Sequence, residues 1–158
     1  HQADFRGAVI SAPALVAGAS VSPVTIALGK VAAVLAPKAG VLALDVNGIS
    51  RDPEVVRAYV ADPLNFQGKT TARLAAEMLK AMQRVAAEVS TITLPFIVVQ
   101  GSADRLVAPA GAQMLYDKAG SQDKTIKVYD GLYHEVFNEP ERDQVLADVA
   151  TWLAAHMP

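Results

Sequence analysis

The chain has 158 residues, of which 52% are hydrophobic and 19% are charged, and its formal net charge is −2. This composition is typical of a globular protein and excludes a disordered one, and the absence of a basic stripe argues against a nucleic-acid partner. There is no cysteine, which excludes disulfides, thiolate catalysis and cysteine metal sites. No apolar run approaches the ~20 residues of a membrane span. The start, HQADFRG, lacks the pattern of a signal peptide, so the localisation stays open between soluble, cytoplasmic and peripherally membrane-associated.

The first half of the chain reads as one strand followed by helices. Residues 7–12 are short, apolar and followed by a proline, which predicts a buried strand. Residues 14–94 are rich in Ala, Val and Leu at helical spacing, and Ser-Pro and Asp-Pro pairs mark helix starts. We predict helices near 22–36, 52–61 and 69–89.

From residue 95 strands and helices alternate. PFIVVQG and KTIKVYDG read as strands, and 109–119 and 139–156 read as helices. Such alternation predicts βα units on a parallel sheet, hence an α/β fold with flanking helices. The predicted organisation is a core strand in 1–13, a helical insertion in 14–94 and a βαβα core in 95–158.

Two loops carry the residues that suggest chemistry. Asp104 follows the end of the strand PFIVVQG, and His134 follows the next strand. Functional groups gather at the carboxyl ends of parallel strands, and consecutive strands are expected to be neighbours, so the two side chains can meet. An aspartate bonded to a histidine fixes its tautomer and makes it a general base.

Each residue also has a structural interpretation. Asp104 can cap the following helix or pair with Arg105, and His134 can be an ordinary turn residue. The joint pattern is more specific than either part, because both residues sit at the same ends of consecutive strands and both follow glycine turns.

The motifs GSADRLV, SQDKTIKVYDGLYHEVFNEPER and SRDPEVVRAYVADPL together resemble the C-terminal half of the monoacylglycerol lipases, which have the α/β-hydrolase fold. The similarity covers essentially the whole chain. It implies a triad in the order Ser, Asp, His, with Asp104 and His134 as the last two members. It also implies that 14–94 is the helical cap that covers the site and forms an apolar acyl tunnel.

The nucleophile of that family is missing from this sequence. No Gly-x-Ser-x-Gly elbow occurs, and the oxyanion-hole motif is also absent. GASVS at 18–22 lacks the second glycine and a preceding strand, Ser102 reads as a loop residue, and Ser11 is followed by Ala-Pro rather than a helix start. We therefore expect the serine in an N-terminal half that precedes this chain, and we expect the chain alone to be inactive toward esters.

The cap offers candidate substrate contacts. Met78, Leu79 and Met82 form an apolar stripe that suits an acyl tunnel, although ordinary helix packing explains it equally well. By resemblance, Tyr59 and Leu106 fall near the substrate. Val136 and Phe137 follow His134 closely in the sequence and are expected to pack against the acyl or leaving group.

Together with the resemblance, the sequence predicts a fragment of a serine carboxylic-ester hydrolase whose parent acts on monoacylglycerols or similar carboxylic esters, without metal or cofactor. Its expected partners are the lipid ester, the N-terminal half and, transiently, a membrane surface touched by the cap. Another esterase or lysophospholipase of the same fold is one alternative, because the cap sets the substrate and is the less diagnostic part. A non-catalytic fragment that binds lipid or a partner is the other.

Overall fold

The computed structural model describes residues 1–16 and 23–157. Its main sheet has three parallel strands in the order β1 (Ala8–Ser11), β4 (Phe96–Gly101) and β5 (Lys124–Tyr129). The register pairs Ala8 with Phe96 and Phe96 with Lys124, so the carboxyl ends of the strands lie at one edge. This arrangement confirms the α/β prediction and the adjacency of the two strands that precede Asp104 and His134.

Strand β4 is the centre of the core, because all six of its residues are buried. Its side chains alternate between two apolar clusters, as a strand covered on both faces requires. Ile97 and Val99 pack toward helix α5 (Arg142–His156), and Phe96 and Val98 pack toward helix α4 (Ala110–Lys118).

The helices of the first half lie close to their predicted positions. They are α1 (Pro23–Leu35), α2 (Pro53–Ala61) and α3 (Ala72–Glu88). The side chain of Asp52 caps α2 by accepting from the amide of Glu54 at 2.8 Å, as the Asp-Pro pair predicts. Short 3-10 turns at Gln2–Asp4, Val46–Gly48, Val89–Thr91 and Val136–Asn138 complete the connections.

The prediction that 14–94 is all helical was wrong in one detail. Strands β2 (Gly40–Leu42) and β3 (Thr70–Thr71) form a small antiparallel ribbon between the helices. Helix α1 packs against α3, and the amide of Ala72 donates to the carbonyl of Ala39 at 2.8 Å, which brings the two segments together. Strands of three and two residues are too short to show a period of two in the sequence.

Helix α5 ends in a stacked pair. The rings of Trp152 and His156 lie 3.9 Å apart. Nδ1 of His156 is 2.6 Å from the carbonyl oxygen of Trp152, and Nε2 is 3.0 Å from Oδ2 of Asp123. Both partners are acceptors, so both ring nitrogens must donate, which is the hydrogen-bonding pattern of a protonated imidazole.

Within residues 1–16 and 23–157, none of the helices combines the length and apolar character that crossing a membrane requires.

Candidate active site

Asp104 lies just beyond the carboxyl end of β4, in the turn that leads to α4, and it is buried. Its Oδ1 accepts from the backbone amides of Leu106 and Val107, at 2.8 and 3.0 Å. These two bonds close the turn and fix the rotation of the carboxylate. The second oxygen, Oδ2, therefore has a defined direction.

His134 contacts that second oxygen. Its Nδ1 lies 2.9 Å from Oδ2 of Asp104. An ionised carboxylate only accepts hydrogen bonds, so Nδ1 carries the proton and Nε2 is the basic nitrogen. Among the residues that the structure describes, Nε2 of His134 has no hydrogen-bond partner. This geometry is suited to a general base with its orienting acid.

Two glycines let the loops meet. A Cβ on Gly101 would clash with the backbone carbonyl oxygens of Leu132 and Tyr133, so the histidine loop can lie against the end of β4 only because residue 101 has no side chain. Gly131 has a φ of +73°, which favours glycine, and it turns the chain back toward β4. The amide of Ala103 then donates to the carbonyl of Leu132 at 3.0 Å.

The pair is electrostatically matched. Burial by itself would raise the pKa of Asp104, but hydrogen bonds from His134, from the Val107 and Leu106 amides and from Gln100 outweigh it and lower that pKa. The hydrogen bond to Asp104 raises the pKa of His134, against burial, which lowers it. The aspartate thus stays ionised, and the imidazolium form of the histidine is stabilised.

Residues 45–52 fasten the histidine loop from the side of the predicted cap. The amide of Glu135 donates to the carbonyl of Ile49 at 2.9 Å, and the hydroxyl of Ser50 donates to the carbonyl of Asn138 at 2.9 Å. Ile49 and Ser50 are both buried. This segment therefore belongs structurally to the surroundings of the site, although it lies between the predicted cap helices in sequence.

An ion pair between the buried Glu139 and the partly exposed Arg51 strengthens the same junction. The carboxylate of Glu139 is completely buried and accepts from the amide and the Nε of Arg51 and from the amide of Tyr133, at 3.2, 3.0 and 2.7 Å. Arg51 also pairs with Glu141, whose side chain is 47% exposed. One carboxylate thus joins the start of α2 to the residue before His134.

A cavity of about 430 Å³ lies beside the histidine loop. It is lined by Asn47, Ser50, Arg51, Pro53, Val56, Arg57, Arg105 and Tyr133. The three arginines are paired with acidic side chains, Arg51 as above, Arg57 with Glu54 and Arg105 with Asp45. The charge of each of these arginines is therefore matched by an acidic partner.

A family model described as "Serine aminopeptidase, S33" matches residues 1–141. The chain belongs to this family. Among its relatives, the monoacylglycerol lipase of Mycolicibacterium smegmatis is 44% identical over 157 residues, covering 99% of this chain and 56% of the relative. The monoglyceride lipase of Rattus norvegicus is 33% identical over 153 residues, covering 95% of this chain and 50% of the relative.

A solved structure gives the same picture of the fold. The crystal structure of the Paleococcus ferrophilus monoacylglycerol lipase superposes with a TM-score of 0.85 at 30% identity, covering 96% of this chain and 60% of that one. The chain is thus a serine aminopeptidase S33 family member with a monoacylglycerol lipase-like α/β-hydrolase fold. It spans about half the length of the curated relatives that it matches.

The predicted substrate residues of this family member do not form one lining. Tyr59 is partly buried on α2, Met78 is 51% exposed on α3, and Leu79 and Met82 are partly buried on α3. None of them lines the cavity beside the histidine loop. Their role toward a substrate stays a prediction, and the packing of α3 against α1 accounts for part of the stripe.

Leu106 and Val136 lie closer to the pair. Leu106 is partly buried and packs against Gly48, at the junction described above. Val136 is 0% exposed and belongs to the apolar cluster under α5. A side chain with no exposed surface packs the core, so the structure gives no support to the expected contact of Val136 with an acyl or leaving group.

The serines near the predicted site have structural positions. The hydroxyl of Ser102 donates to Asp130 at 3.1 Å and accepts from the amide of Gly131 at 2.8 Å, so this loop residue links the loop of Asp104 to the turn that precedes His134. Ser11 is the last residue of β1. The GASVS stretch, residues 18–22, lies outside the described residues.

Sequence reasoning missed Gln100, Arg51 and Glu139. In the sequence, Gln100 is part of a predicted strand, and Arg51 and Glu139 lie at predicted helix starts. Only folding brings the polar atoms of these residues to Asp104 and to the histidine loop.

In the described part of the chain, no group of three His, Asp or Glu side chains is arranged to hold a metal ion.

Proposed function

We propose that this chain supplies the general base, His134, and its orienting acid, Asp104, to a serine hydrolase that cleaves carboxylic esters of glycerol. The nucleophilic serine and the oxyanion hole would come from sequence that precedes the chain. The observation that carries the proposal is the bond between Nδ1 of His134 and Oδ2 of Asp104, which leaves Nε2 as the proton acceptor.

The chemistry follows from that assignment. Nε2 of His134 removes the proton of the serine hydroxyl as the oxygen attacks the ester carbonyl. The resulting imidazolium passes this proton to the alcohol oxygen of glycerol, the ester bond breaks, and an acyl-enzyme remains. Water then attacks the acyl group with His134 again as base, and the fatty acid leaves. Asp104 stays ionised throughout and stabilises the imidazolium.

The substrate class rests on the relatives named monoacylglycerol lipase and monoglyceride lipase. An esterase or lysophospholipase of the same fold is the alternative within hydrolases, and a relative from Bacillus subtilis, 29% identical, is named a phospholipase. Initial rates on a monoacylglycerol and on a lysophospholipid of the same acyl chain separate the two. A higher rate on the lysophospholipid would contradict the proposed substrate.

The catalytic test uses the chain expressed together with the sequence that precedes it in its gene. His134→Ala and Asp104→Asn should each lower kcat by about 10⁴-fold without unfolding the protein. We expect asparagine at position 104 to lower kcat because it changes the tautomer of His134. The turn amides still require an oxygen at the Oδ1 position, so the asparagine nitrogen faces Nδ1 of His134, which must then accept rather than donate.

Ser102→Ala is the matched control. Ser102 is a polar loop residue two positions from Asp104, but its hydroxyl bonds Asp130 and Gly131 and neither Asp104 nor His134, so this variant should keep near-normal turnover. A well-folded Asp104→Asn enzyme with near-normal turnover would reduce Asp104 to a turn residue. If the preceding sequence contains no strand followed by Gly-x-Ser-x-Gly, the chain is better explained as a non-catalytic lipid-binding module.

We also propose that the cap touches a lipid surface. Helix α1 exposes large apolar side chains, with 66% to 79% of their surface open at Leu28, Val34 and Leu35. Co-sedimentation with phosphatidylcholine vesicles should fall several-fold in Leu35→Glu and stay unchanged in Lys30→Glu. Equal binding by both variants would contradict a contact through this helix.

A further inference from the structure

Gln100 is a polar side chain in the middle of the core. It is the fifth of the six residues of β4 and is 0% exposed. Its Nε2 donates to Oδ2 of Asp104 at 2.9 Å and to the carbonyl oxygen of Gly101 at 3.1 Å. The oxygen that it contacts on Asp104 is the one that also contacts Nδ1 of His134.

The orientation of this amide is determined by its neighbours. A carboxylate oxygen and a carbonyl oxygen both accept hydrogen bonds, so only the nitrogen of Gln100 can face them. The amide oxygen, Oε1, then points away and has no hydrogen-bond partner among the described residues. Half of the amide is thus bonded to the site, and the other half is buried without a partner.

Such a group is unfavourable for the fold alone. A buried polar atom without a partner destabilises the folded state, and an apolar side chain of similar shape at the same position would not. The strand neighbours Phe96, Ile97, Val98 and Val99 show that this part of β4 otherwise holds apolar residues. Packing therefore gives no reason for glutamine here, whereas its bond to Asp104 does.

We propose that Gln100 is a positioning residue for Asp104. With the two turn amides on Oδ1 and Gln100 on Oδ2, the carboxylate is held at both oxygens, and the remaining lone pair of Oδ2 faces the imidazole of His134. The inference rests on the proposed function, in which this pair is the base and its orienter. The inference adds a role for the neutral amide of Gln100. By donating to the carboxylate of Asp104, it stabilises part of the negative charge and limits how strongly Asp104 holds the proton of His134.

Removing the donor has a predictable direction. Without Gln100 the carboxylate charge is no longer shared, so Oδ2 bonds His134 more strongly and the pKa of His134 rises. The carboxylate is also free to rotate away from the position that it now holds. In the intact hydrolase we expect kcat to fall by about 10- to 100-fold, and the lower limb of the pH–kcat/KM profile to move to higher pH.

The test compares Gln100→Met with Gln113→Met. Methionine matches glutamine in length and cannot donate, and Gln113 makes the same kind of amide-to-carboxylate bond, to Asp117 at 2.8 Å, on the exposed surface of α4. The pKa of His134 is read from the NMR titration of its Cε1 proton in the 158-residue chain, assigned with His134→Ala. We expect it to rise in Gln100→Met only, with no loss of Tm.

An unchanged pKa of His134 in folded Gln100→Met would overturn the proposal, and so would a fall in Tm as the sole effect. If that variant does not fold, the unmodified chain gives the answer. The Nε2 protons of Gln100 must shift as His134 titrates, and invariant resonances would overturn the proposal as well. Because these measurements need no turnover, a hydrolase that proves inactive would count against the proposed function alone.

Discussion

Replacing Glu139 by alanine should destabilise the chain far more than replacing Glu141, although both carboxylates bind Arg51. Glu139 is completely buried and accepts hydrogen bonds from Arg51 and from the amide of Tyr133. The Glu141 side chain is 47% exposed and bonds only the outer part of the guanidinium. The two substitutions therefore compare a buried acceptor with an exposed one on the same arginine.

The expected magnitude follows from what each substitution leaves behind. Breaking a buried ion pair costs about 3–5 kcal/mol, because the remaining charge and donors are left without partners. The side chain of Arg51 is 33% exposed and keeps Glu141, so its charge can be partly solvated, and the lower end applies. We expect about 3 kcal/mol for Glu139→Ala, equivalent to a Tm lower by about 6–12 °C, and at most about 1 kcal/mol for Glu141→Ala.

Thermal and urea unfolding of the two variants measure the difference. Glu139→Gln, which keeps an acceptor but not the charge, should lie between them. Hydrogen exchange at the amide of Tyr133 should become faster in Glu139→Ala, because that amide loses its acceptor. If the two alanine variants melt within about 1 °C of each other, burial of the carboxylate does not determine its contribution, and the reasoning is refuted.

Gly101→Ala should lower stability by about 1–3 kcal/mol and separate the loops that carry the pair, because the new Cβ meets backbone carbonyl oxygens that cannot move alone. Gly29→Ala, in open space within α1, should instead stabilise by about 0.5–1 kcal/mol, and unfolding curves that rank the two equally would contradict this. The bond to the carbonyl of Trp152 and the pair with Asp123 raise the pKa of His156 against the effect of burial, so its stabilisation is full below about pH 6.5 and is lost as pH rises through the folded-state pKa. The gap in Tm between the chain and His156→Phe should therefore be larger at pH 6 than at pH 9, and an equal gap would show that this histidine contributes only by stacking.

The features that could be predicted from the sequence are those determined by patterns of consecutive residues. The apolar run before Asp104 is long enough to identify a buried strand, and the next strand–turn places His134 at the same sheet edge. The topology therefore predicts that the two side chains lie close together, and this prediction does not require their rotamers. The short ribbon formed by β2 and β3 has no such pattern, because its strands exist only where α1 and α3 bring them side by side.

The features that could not be predicted are contacts between residues far apart in the chain. Arg51 and Glu139 are 88 positions apart, and each by itself reads as part of a helix start. The position of Val136 was misread for the complementary reason. Nearness to His134 in sequence suggested a substrate contact, but its side chain points into the cluster under α5. Sequence neighbours in a tight turn face in different directions.

Asp104 shows why the structural and functional interpretations of one residue need not compete. Oδ1 does not cap helix α4, as the structural interpretation expects, but bonds the amides of Leu106 and Val107 in the turn before it. Oδ2 makes the histidine contact that the functional interpretation expects. Arg105, the other structural candidate, bonds the carbonyl of Asn47 and lies over the ring of Tyr133 instead. Because the turn holds one oxygen in place, the other already points at the imidazole of His134. The turn contacts therefore supply the geometry that the proposed catalytic role requires.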